Sequence, residues 1–251
     1  MSNRQLHHFI IDGNICSLKT TYLNTIIKKP LSKGIYLSYD DLINPDLELV
    51  NDNIEFIYVV LKEPTHKWTQ SGLLDNFYKD IKKYAFDFQT CVFETYFEQI
   101  DMYESVIKNA QDKEVIPNIP VVLFIERSGI ARWFVFTEPL HRQQILSDID
   151  YQKLFDRWMP IIKQYEPTWM YWFKCDDQTC FDRISVREGK NDITQSYLLE
   201  LEKAHEQFYL SKTHIPSHIK TNIFTTTGDP YQFNKLTKTV EYDLIHTFKN
   251  K

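Results

Sequence analysis

Residues 8–21 read HFIIDGNICSLKTT, and this stretch decides the fold prediction. Its first half is a short apolar run that Gly13 and Asn14 interrupt, which is typical of a buried strand that ends in a tight loop. After Lys19 the apolar residues Tyr22, Leu23 and Ile26 recur at helical spacing. The stretch therefore predicts a strand, a tight loop and a helix in succession.

The same residues match most of the phosphate-binding pattern G-x-x-x-x-G-K-S/T. Gly13, Lys19 and Thr20 fit it, whereas Leu18 stands where the second glycine belongs. In such a loop, backbone N–H groups and a helix N-terminus face phosphate oxygens, the lysine adds positive charge and the hydroxyl ligates Mg²⁺. On this stretch alone, a chance strand–turn–helix explains the pattern as well as a nucleotide site does.

The composition fits one α/β domain over residues 1–251 with a full hydrophobic core. A formal net charge of −5 disfavours binding to a nucleic-acid backbone, but it leaves a nucleotide substrate open. The sequence has no apolar run of membrane-spanning length and no signal-peptide pattern, so we expect a cytoplasmic protein without a membrane partner. Four scattered cysteines without C-x-x-C pairing are typical of free thiols.

Further apolar runs predict four more strands, at residues 54–61, 120–125, 169–174 and 222–227. Helical patterns separate them, including residues 69–88 and 89–111, so we expect a five-stranded parallel sheet flanked by helices. Residues 28–53 are polar and rich in Pro and Gly, which predicts a loop with little regular structure.

Ionic residues follow three of these strands directly. Lys19 comes after the first, Glu63 after the second, and Glu126 with Arg127 after the third. Ligands of parallel α/β sheets bind beyond the carboxyl ends of the strands. We therefore expect these side chains to meet at one edge of the sheet, although each of them alone is more often a solvated loop charge.

Taken in order along the chain, several motifs resemble the deoxynucleoside kinase family, which includes deoxycytidine, deoxyguanosine and mitochondrial thymidine kinases. These motifs are GNICSLKTT, KEPTHKW, YKDIKKYAFDFQT, IERSGIARW, RISVREGKND and YLLELEKAHEQFY. The resemblance implies a P-loop kinase fold with a lid, and a homodimer. It also implies transfer of the γ-phosphoryl group of ATP to the 5′-hydroxyl of a deoxynucleoside, with Mg²⁺ as cofactor.

The resemblance also implies roles for individual residues. Glu63 corresponds to the general base beside the 5′-hydroxyl, and Arg127 to the arginine that holds this base and the developing charge. Thr20 and Glu126 correspond to the residues that hold Mg²⁺. The implied ATP and phosphate contacts are Gly13, Asn14, Ser17, Lys19, Thr20, Thr21 and the lid residues Arg183 and Arg187.

For the nucleoside, Gln89 corresponds to the glutamine that reads the base edge; a helix-start glutamine bonded to the backbone is the structural alternative. Tyr78 matches the tyrosine that binds the sugar 3′-hydroxyl, and the aromatic residues match the walls around the base, unless they are plain core. The implied substrate contacts are Trp68, Phe77, Tyr78, Phe88, Gln89, Val92, Tyr96, Ala131 and Asp192. Tyr96, and the lack of an acidic residue after Glu-Arg-Ser, favour thymidine or another pyrimidine.

Two departures from the family pattern leave other functions open. Leu18 brings bulk to the phosphate loop, and the segment ERSGIAR is one residue shorter than the usual family spacing. The main alternative is a catalytically impaired relative that serves as a binding or structural subunit. A nucleoside-monophosphate kinase is a weaker alternative, because Glu63 and Gln89 match the nucleoside branch.

Overall fold

The fold is built on a parallel sheet, seen in a computed structural model that describes residues 6–43, 53–188, 193–226 and 230–249. In this part of the chain the sheet has six strands in the order β2-β3-β4-β1-β5-β6. Every neighbouring pair is parallel. The strands are β1 (Leu6–Gly13), β2 (Gly34–Tyr36), β3 (Phe56–Leu61), β4 (Val121–Glu126), β5 (Trp169–Lys174) and β6 (Lys220–Thr225).

Helices cover both faces of this sheet. All residues of β3 and β4 are buried, which explains why these strands are continuous apolar runs rather than alternating ones. The helices are α1 (Lys19–Lys28), α2 (Tyr39–Ile43), α3 (Thr65–Gln70), α4 (Leu73–Lys79), α5 (Ile81–Asp112), α6 (Gly129–Ala131), α7 (Glu138–Arg142), α8 (Asp148–Gln164), α9 (Asp177–Glu188), α10 (Gln195–Ser211) and α11 (Pro230–Lys249). A π-helical turn, Arg132–Thr137, joins α6 to α7.

Among the described residues, the two largest hydrophobic cores lie one on each face of the sheet and hold the layers together. The larger core packs α5 and α8 against the sheet around residues such as Phe93, Trp133 and Trp158. The smaller core packs α1 and α11 against the other face around Tyr22 and Leu244. None of the described helices has the length and apolar composition needed to cross a membrane.

The predicted fold class is confirmed, but the predicted number of strands is wrong. The additional strand is β2, which lies inside the segment 28–53 that the sequence predicts as loop, and α2 follows it. With three residues, β2 is too short to show an apolar pattern. Gly34 leaves room there for the Phe56 ring, because a Cβ atom at this position would lie 2.4 Å from Cε2 of Phe56.

The predicted helix over residues 69–88 is also wrong in its bounds, because the helical structure is interrupted at Asp80. Helix α4 ends before this residue and α5 begins after it, and the Asp80 carboxylate caps α5 by accepting a hydrogen bond from the Lys83 N–H at 3.1 Å. Helix α5 then runs without interruption for 32 residues. Gln89 consequently lies in its third turn rather than at a helix start.

Candidate active site

A cavity of about 1160 Å³ opens at the carboxyl ends of β1, β3 and β4. Lys19, Glu63 and Arg127 all line it, so the three strand ends bring their ionic residues together, as expected for a parallel sheet. Most of the other candidate residues line the same cavity: Ser17, Thr20, Thr21, Trp68, Phe77, Tyr78, Phe88, Gln89, Val92, Glu126 and Arg183.

The loop between β1 and α1 contains two non-glycine residues with a left-handed backbone, and one of them is Leu18, which stands where the phosphate-binding pattern has glycine. Leu18 has φ 71° and Cys16 has φ 58°, both in the left-handed region. A non-glycine residue pays about 1–2 kcal/mol for this conformation, which a stable domain tolerates. Gly13 has φ 146°, and a Cβ atom there would lie 2.5 Å from the Phe173 carbonyl oxygen, so only glycine fits.

Two polar side chains of this loop, Ser17 and Lys19, retain hydrogen-bond donors for an anionic ligand. Within the described residues, the buried Ser17 Oγ has no hydrogen-bond partner. Lys19 Nζ donates to the carbonyl oxygens of Gly13 at 3.1 Å and Asn14 at 2.7 Å, which leaves one of its three N–H donors. Burial, reinforced by the nearby Arg127, lowers the pKa of Lys19 against the opposing effect of the surrounding carboxylates.

Gly13 and Asn14 shape the loop without lining the cavity themselves. The Asn14 side chain donates to the Leu198 carbonyl oxygen at 2.9 Å and accepts from the Ile15 N–H at 2.8 Å. The bond to Leu198 ties the loop to α10, and the bond from Ile15 fixes the orientation of the Asn14 side chain. The predicted phosphate contact of Asn14 can therefore involve its backbone, while its side chain is engaged elsewhere.

Thr20 and Glu126 lie next to each other at the same end of the cavity. The Thr20 hydroxyl donates to Oε1 and Oε2 of Glu126 at 2.9 and 3.1 Å. Hydroxyl and carboxylate oxygens are ligands that Mg²⁺ prefers, and in kinase sites this ion takes few protein ligands and completes its shell with phosphates and water. The described residues contain no cluster of three or more His, Cys, Asp or Glu residues that could form a complete protein cage.

Two arginines hold the carboxylate of Glu63. Its Oε1 atom lies 2.9 Å from Nη1 of Arg127 and 2.9 Å from Nη2 of Arg132. Burial raises the pKa of Glu63, but the charges of Arg127, Arg132 and Lys19 outweigh it, so that the net pKa lies below the ordinary glutamate value. Glu63 is therefore an ionised, buried carboxylate at neutral pH.

A second buried carboxylate supports Arg127 from behind. Asp12 Oδ1 lies 3.8 Å from Nε of Arg127 and 3.6 Å from Nε2 of His205, and Asp12 Oδ2 accepts from the Tyr209 hydroxyl at 2.7 Å. The Gly13 N–H also donates to Asp12 Oδ1 at 2.8 Å. Asp12 thus links the start of the phosphate loop, Arg127 and α10.

Apolar and aromatic side chains form another part of the cavity wall. The rings of Phe77 and Phe88 stack on each other with centroids 4.5 Å apart, and Trp68 meets Phe88 edge-on at 5.9 Å. Gln89 is an amide on this apolar wall, and its Oε1 accepts a hydrogen bond from the Thr137 hydroxyl at 2.9 Å. Tyr78 lines the cavity beside Tyr197, with ring centroids 6.4 Å apart.

Two predicted substrate contacts lie outside the cavity wall. The guanidinium of Arg132 covers the ring of Tyr96 at 4.7 Å, which places Tyr96 behind Arg132. Ala131 is fully buried in the turn that Ser128 caps, and its N–H donates to the Ser128 hydroxyl at 3.0 Å. Both side chains are engaged in packing and neither lines the cavity, so their contact with the substrate stays a prediction.

The predicted lid is described only in part. Arg183 on α9 donates to the Cys16 carbonyl oxygen at 3.2 Å and to Sγ of Cys175 at 3.1 Å, so this arginine lies against the phosphate loop. Arg187 is described only through the helical backbone of α9, and Asp192 lies outside the described residues.

Several site residues were not singled out from the sequence. Arg132 ends the segment ERSGIAR, whose short spacing obscured its position, and Asp12 directly precedes Gly13. His205 and Tyr209 are four residues apart, which puts both on one face of a helix, but this pattern is equally typical of a buried helix face. The residues missed at the site are Asp12, Arg132, Phe136, Thr137, Tyr197, His205 and Tyr209.

Comparison with known proteins identifies the family. The family model for deoxynucleoside kinase matches residues 46–247. The chain belongs to the deoxynucleoside kinase family. The resemblance found in the sequence is thereby confirmed, and family membership supports nucleoside phosphorylation as the general activity. The loop between β1 and α1 lies before the matched residues, but the hydrogen bonds from Asn14 to Leu198 and from Arg127 to Gly13 join it to them in space.

Individual relatives are distant. A Fowlpox virus protein named "Probable deoxycytidine kinase FPV151" is 25% identical over 201 residues, which cover 77% of this chain and 74% of that protein. A protein of Invertebrate iridescent virus 6 that is named as a kinase is 31% identical over 154 residues, 59% of this chain and 68% of its own. The human mitochondrial thymidine kinase 2 is 24% identical over 164 residues, 62% of this chain and 57% of its own. The two names that specify a nucleoside refer to different ones, deoxycytidine and thymidine.

Proposed function

We propose that this protein transfers the γ-phosphoryl group of ATP to the 5′-hydroxyl of a deoxynucleoside, with thymidine or another pyrimidine nucleoside as acceptor. One observation carries the proposal: the Glu63 carboxylate, held by two arginines at 2.9 Å, lines the same cavity as Lys19 and Gln89. A group suited to a phosphate, a group suited to a base and an ionised carboxylate therefore share one space.

The Glu63 carboxylate is the candidate general base. A carboxylate within hydrogen-bond reach of the 5′-hydroxyl can accept its proton as the oxygen attacks phosphorus. Its lowered pKa makes Glu63 a weak base, which suits phosphoryl transfer because this reaction depends chiefly on positioning and on stabilising charge. Arg127 and Arg132 orient the carboxylate and place positive charge beside the reacting oxygen.

At the end of the cavity that would hold the phosphates, both a cation and the loop between β1 and α1 are needed. Thr20 and Glu126 would hold Mg²⁺, and the bound ion would neutralise charge on the phosphates. The buried Ser17 hydroxyl and the remaining N–H of Lys19 are the groups of the loop that would bind phosphate oxygens. Arg183 adds positive charge at the same loop.

The base end of the cavity is suited to a nucleobase. The lining residues Trp68, Phe77, Phe88 and Val92 are apolar or aromatic, and the amide of Gln89 offers both a donor and an acceptor to a base edge. The choice of a pyrimidine is the finer part of the proposal. It follows from the resemblance stated above, with Tyr96 now assigned to the support of Arg132.

A catalytically impaired, nucleotide-binding relative is the second candidate, and two features of the loop between β1 and α1 favour it. Lys19 uses two of its three N–H donors on carbonyl groups of its own loop, and Leu18 lines the cavity beside it. Both features should weaken the binding of the transferred phosphate, while the other residues that line the cavity remain in place.

A phosphorylation assay tests the proposal. Purified protein is incubated with radiolabelled ATP, Mg²⁺ and either thymidine, deoxycytidine or deoxyguanosine, beside the variant Glu63→Gln. We expect turnover with a pyrimidine nucleoside and a loss of about 10²–10⁴-fold in Glu63→Gln, the typical contribution of a general base. Glu138→Gln is the matched control, because it alters the other Glu-Pro pair of the chain, which lies in α7 away from the cavity.

The two candidates give different results in a second measurement. ATP should raise the melting temperature of the wild type, because a ligand that binds only the folded state stabilises it. Stabilisation by ATP without turnover above the Glu63→Gln background would favour the impaired relative. Turnover that survives unchanged in Glu63→Gln would remove Glu63 from the proposed role.

A further inference from the structure

The π-helical turn at Arg132–Thr137 supplies contacts to both Glu63 and Gln89. In an α-helix, residues five apart point about 140° away from each other, so Arg132 and Thr137 would face different directions. A π-helical turn bonds residue i to residue i+5 and brings them to the same side. Here Arg132 reaches Glu63 at 2.9 Å while Thr137 reaches Gln89 at 2.9 Å.

The turn also accounts for the unusual spacing upstream. The segment ERSGIAR is one residue shorter than the resemblance predicts, and a π-turn contains one residue more than the corresponding α-turn. Isolated π-turns inside helices occur frequently at functional sites.

Thr137 has one hydroxyl and two acceptors within reach. The side chain is fully buried, and Oγ1 lies 2.9 Å from Gln89 Oε1 and 3.3 Å from the Arg132 carbonyl oxygen. A hydroxyl donates one hydrogen and accepts two hydrogen bonds. If the hydrogen points to Gln89, the amide oxygen faces Thr137; if it points to Arg132, the hydroxyl oxygen can accept from the Gln89 amide nitrogen.

Both orientations of the Gln89 amide are thus satisfied by the same hydroxyl. This matters because the two pyrimidine bases present opposite edges. Thymine offers a ring N–H donor beside a carbonyl acceptor, whereas cytosine offers a ring nitrogen acceptor beside an amino donor. An amide in a fixed position matches one edge in one orientation, and the other edge after it has turned over.

We propose that Thr137 is a specificity-determining residue, which supports both orientations of the Gln89 amide and so lets one site accept thymidine and deoxycytidine alike. The inference rests on the proposed function, since it takes Gln89 as the group that reads the base. Thr137 itself does not line the cavity and acts through Gln89.

Removal of the hydroxyl should make the site selective. In Thr137→Val the shape of the side chain is kept, but an amide N–H turned toward residue 137 has no acceptor. A buried N–H without a partner costs more than a carbonyl that lacks one of two hydrogen bonds. The nucleoside that needs the N–H on this side should therefore lose more, and the ratio of kcat/KM for thymidine and deoxycytidine should change by about tenfold.

The experiment measures this ratio for the wild type, Thr137→Val, Thr137→Ala and the control Thr137→Ser, which keeps the hydroxyl. We expect the wild type to use the two nucleosides within about tenfold of each other, and Thr137→Ser to keep the wild-type ratio within about twofold. Thr137→Val and Thr137→Ala should shift the ratio in the same direction. The melting temperature of each variant shows that the comparison is made on folded protein.

Binding gives a second readout that does not need turnover. The rise in melting temperature with thymidine alone and with deoxycytidine alone gives the affinity of each variant for the two nucleosides. The ratio of these two affinities is then compared between the variants. A wild type that binds both nucleosides without phosphorylating either would refute the proposed kinase activity, while the binding ratios would still decide the role of Thr137. An unchanged ratio in both hydroxyl-free variants, or a wild type that binds only one nucleoside or neither, would overturn the inference.

Discussion

Arg132 gives the Glu63 carboxylate its second positive neighbour, and this contact makes the pH dependence of activity predictable. Because the pKa of Glu63 is below the ordinary glutamate value, the carboxylate stays ionised well into the acid range. In Arg132→Gln one of the opposing charges is lost and the effect of burial gains weight, so the pKa of Glu63 should rise. The acid limb of the kcat/KM profile should move to higher pH, as measured between pH 4 and 8.

Two controls accompany this measurement. Arg142→Gln removes an exposed arginine of α7 that pairs with Glu138 and should leave the acid limb in place. Arg132→Lys keeps a positive charge without the planar fork and should restore much of the wild-type limb while lowering kcat. An acid limb at the same pH in Arg132→Gln and the wild type would contradict the role given to Arg132.

Leu18 is the residue at which this chain departs most from a phosphate-binding loop. Its backbone is left-handed with φ 71°, and its side chain lines the cavity. Leu18→Gly relieves about 1–2 kcal/mol of conformational strain but also makes the unfolded chain more flexible, so the net change in stability should be small. Because bulk is removed beside the phosphates, we expect kcat/KM for ATP to rise by about tenfold, or 1.4 kcal/mol in the barrier.

Cys16→Gly serves as the comparison for Leu18→Gly. Cys16 has φ 58° in the same loop, so this change relieves similar strain at a position where the pattern does not call for glycine. A gain confined to Leu18→Gly assigns the effect to the second glycine position. Equal gains in both variants would assign it to loop strain instead.

At the level of elements, the sequence predicts the strands that are long and fully apolar. Buried parallel strands such as β3 and β4 appear as continuous apolar runs, and their ionic ends follow directly in the chain. Strand β2 was missed because three residues carry no pattern, and the break at Asp80 was missed because the apolar spacing continues across it.

The same distinction separates the site residues that the sequence predicts from those that it does not. Lys19, Glu63 and Arg127 were predicted because each adjoins a strand that the sequence identifies. Thr137 was not, because its position depends on a π-turn, and one additional residue in a helical turn leaves no distinct spacing. His205 and Tyr209 come from α10, and their contact with Asp12 depends on how that helix packs on the sheet.

Helix α10 is therefore expected to stabilise the site from behind. Tyr209→Phe removes the hydroxyl that donates to buried Asp12 at 2.7 Å and leaves that carboxylate with one partner fewer. We expect the free energy of unfolding to fall by about 1–3 kcal/mol, as measured by urea denaturation. Tyr242→Phe, at an exposed tyrosine of α11, should change it by less than about 0.5 kcal/mol. Equal effects of the two changes would refute this role of Tyr209.

At the scale of the whole molecule, two buried carboxylates link the fold to pH. Burial raises the pKa of Asp12 and of Glu63, but in both cases the surrounding partners outweigh it, so both pKa values lie below their ordinary values. For Asp12 these partners are His205, Arg127 and Tyr209; for Glu63 they are Arg127, Arg132 and Lys19. The folded state thus binds protons at these groups less readily than the unfolded state does.

The sign of the effect follows from this difference. A carboxylate whose pKa is lower in the folded state stabilises the fold above the pKa of the unfolded chain, and this contribution is lost as the pH falls toward the folded value. The unfolding free energy of the wild type should therefore decline as the pH drops below about 4, near the ordinary pKa of Asp and Glu. Urea denaturation at pH 7, 5, 4 and 3.5 measures this decline.

Asp12→Asn should separate this contribution from general acid sensitivity. The variant removes the titrating group, so we expect it to be less stable than the wild type at pH 7 but to lose less stability between pH 5 and 3.5. Glu98→Gln, at an exposed carboxylate of α5 that lies 3.9 Å from Lys67, should follow the wild-type curve at every pH. If Asp12→Asn also ran parallel to the wild type, the buried charges around Arg127 would not be the source of the acid sensitivity. The measured slope thus tests whether the ionic groups at the strand ends hold the molecule together as well as line its cavity.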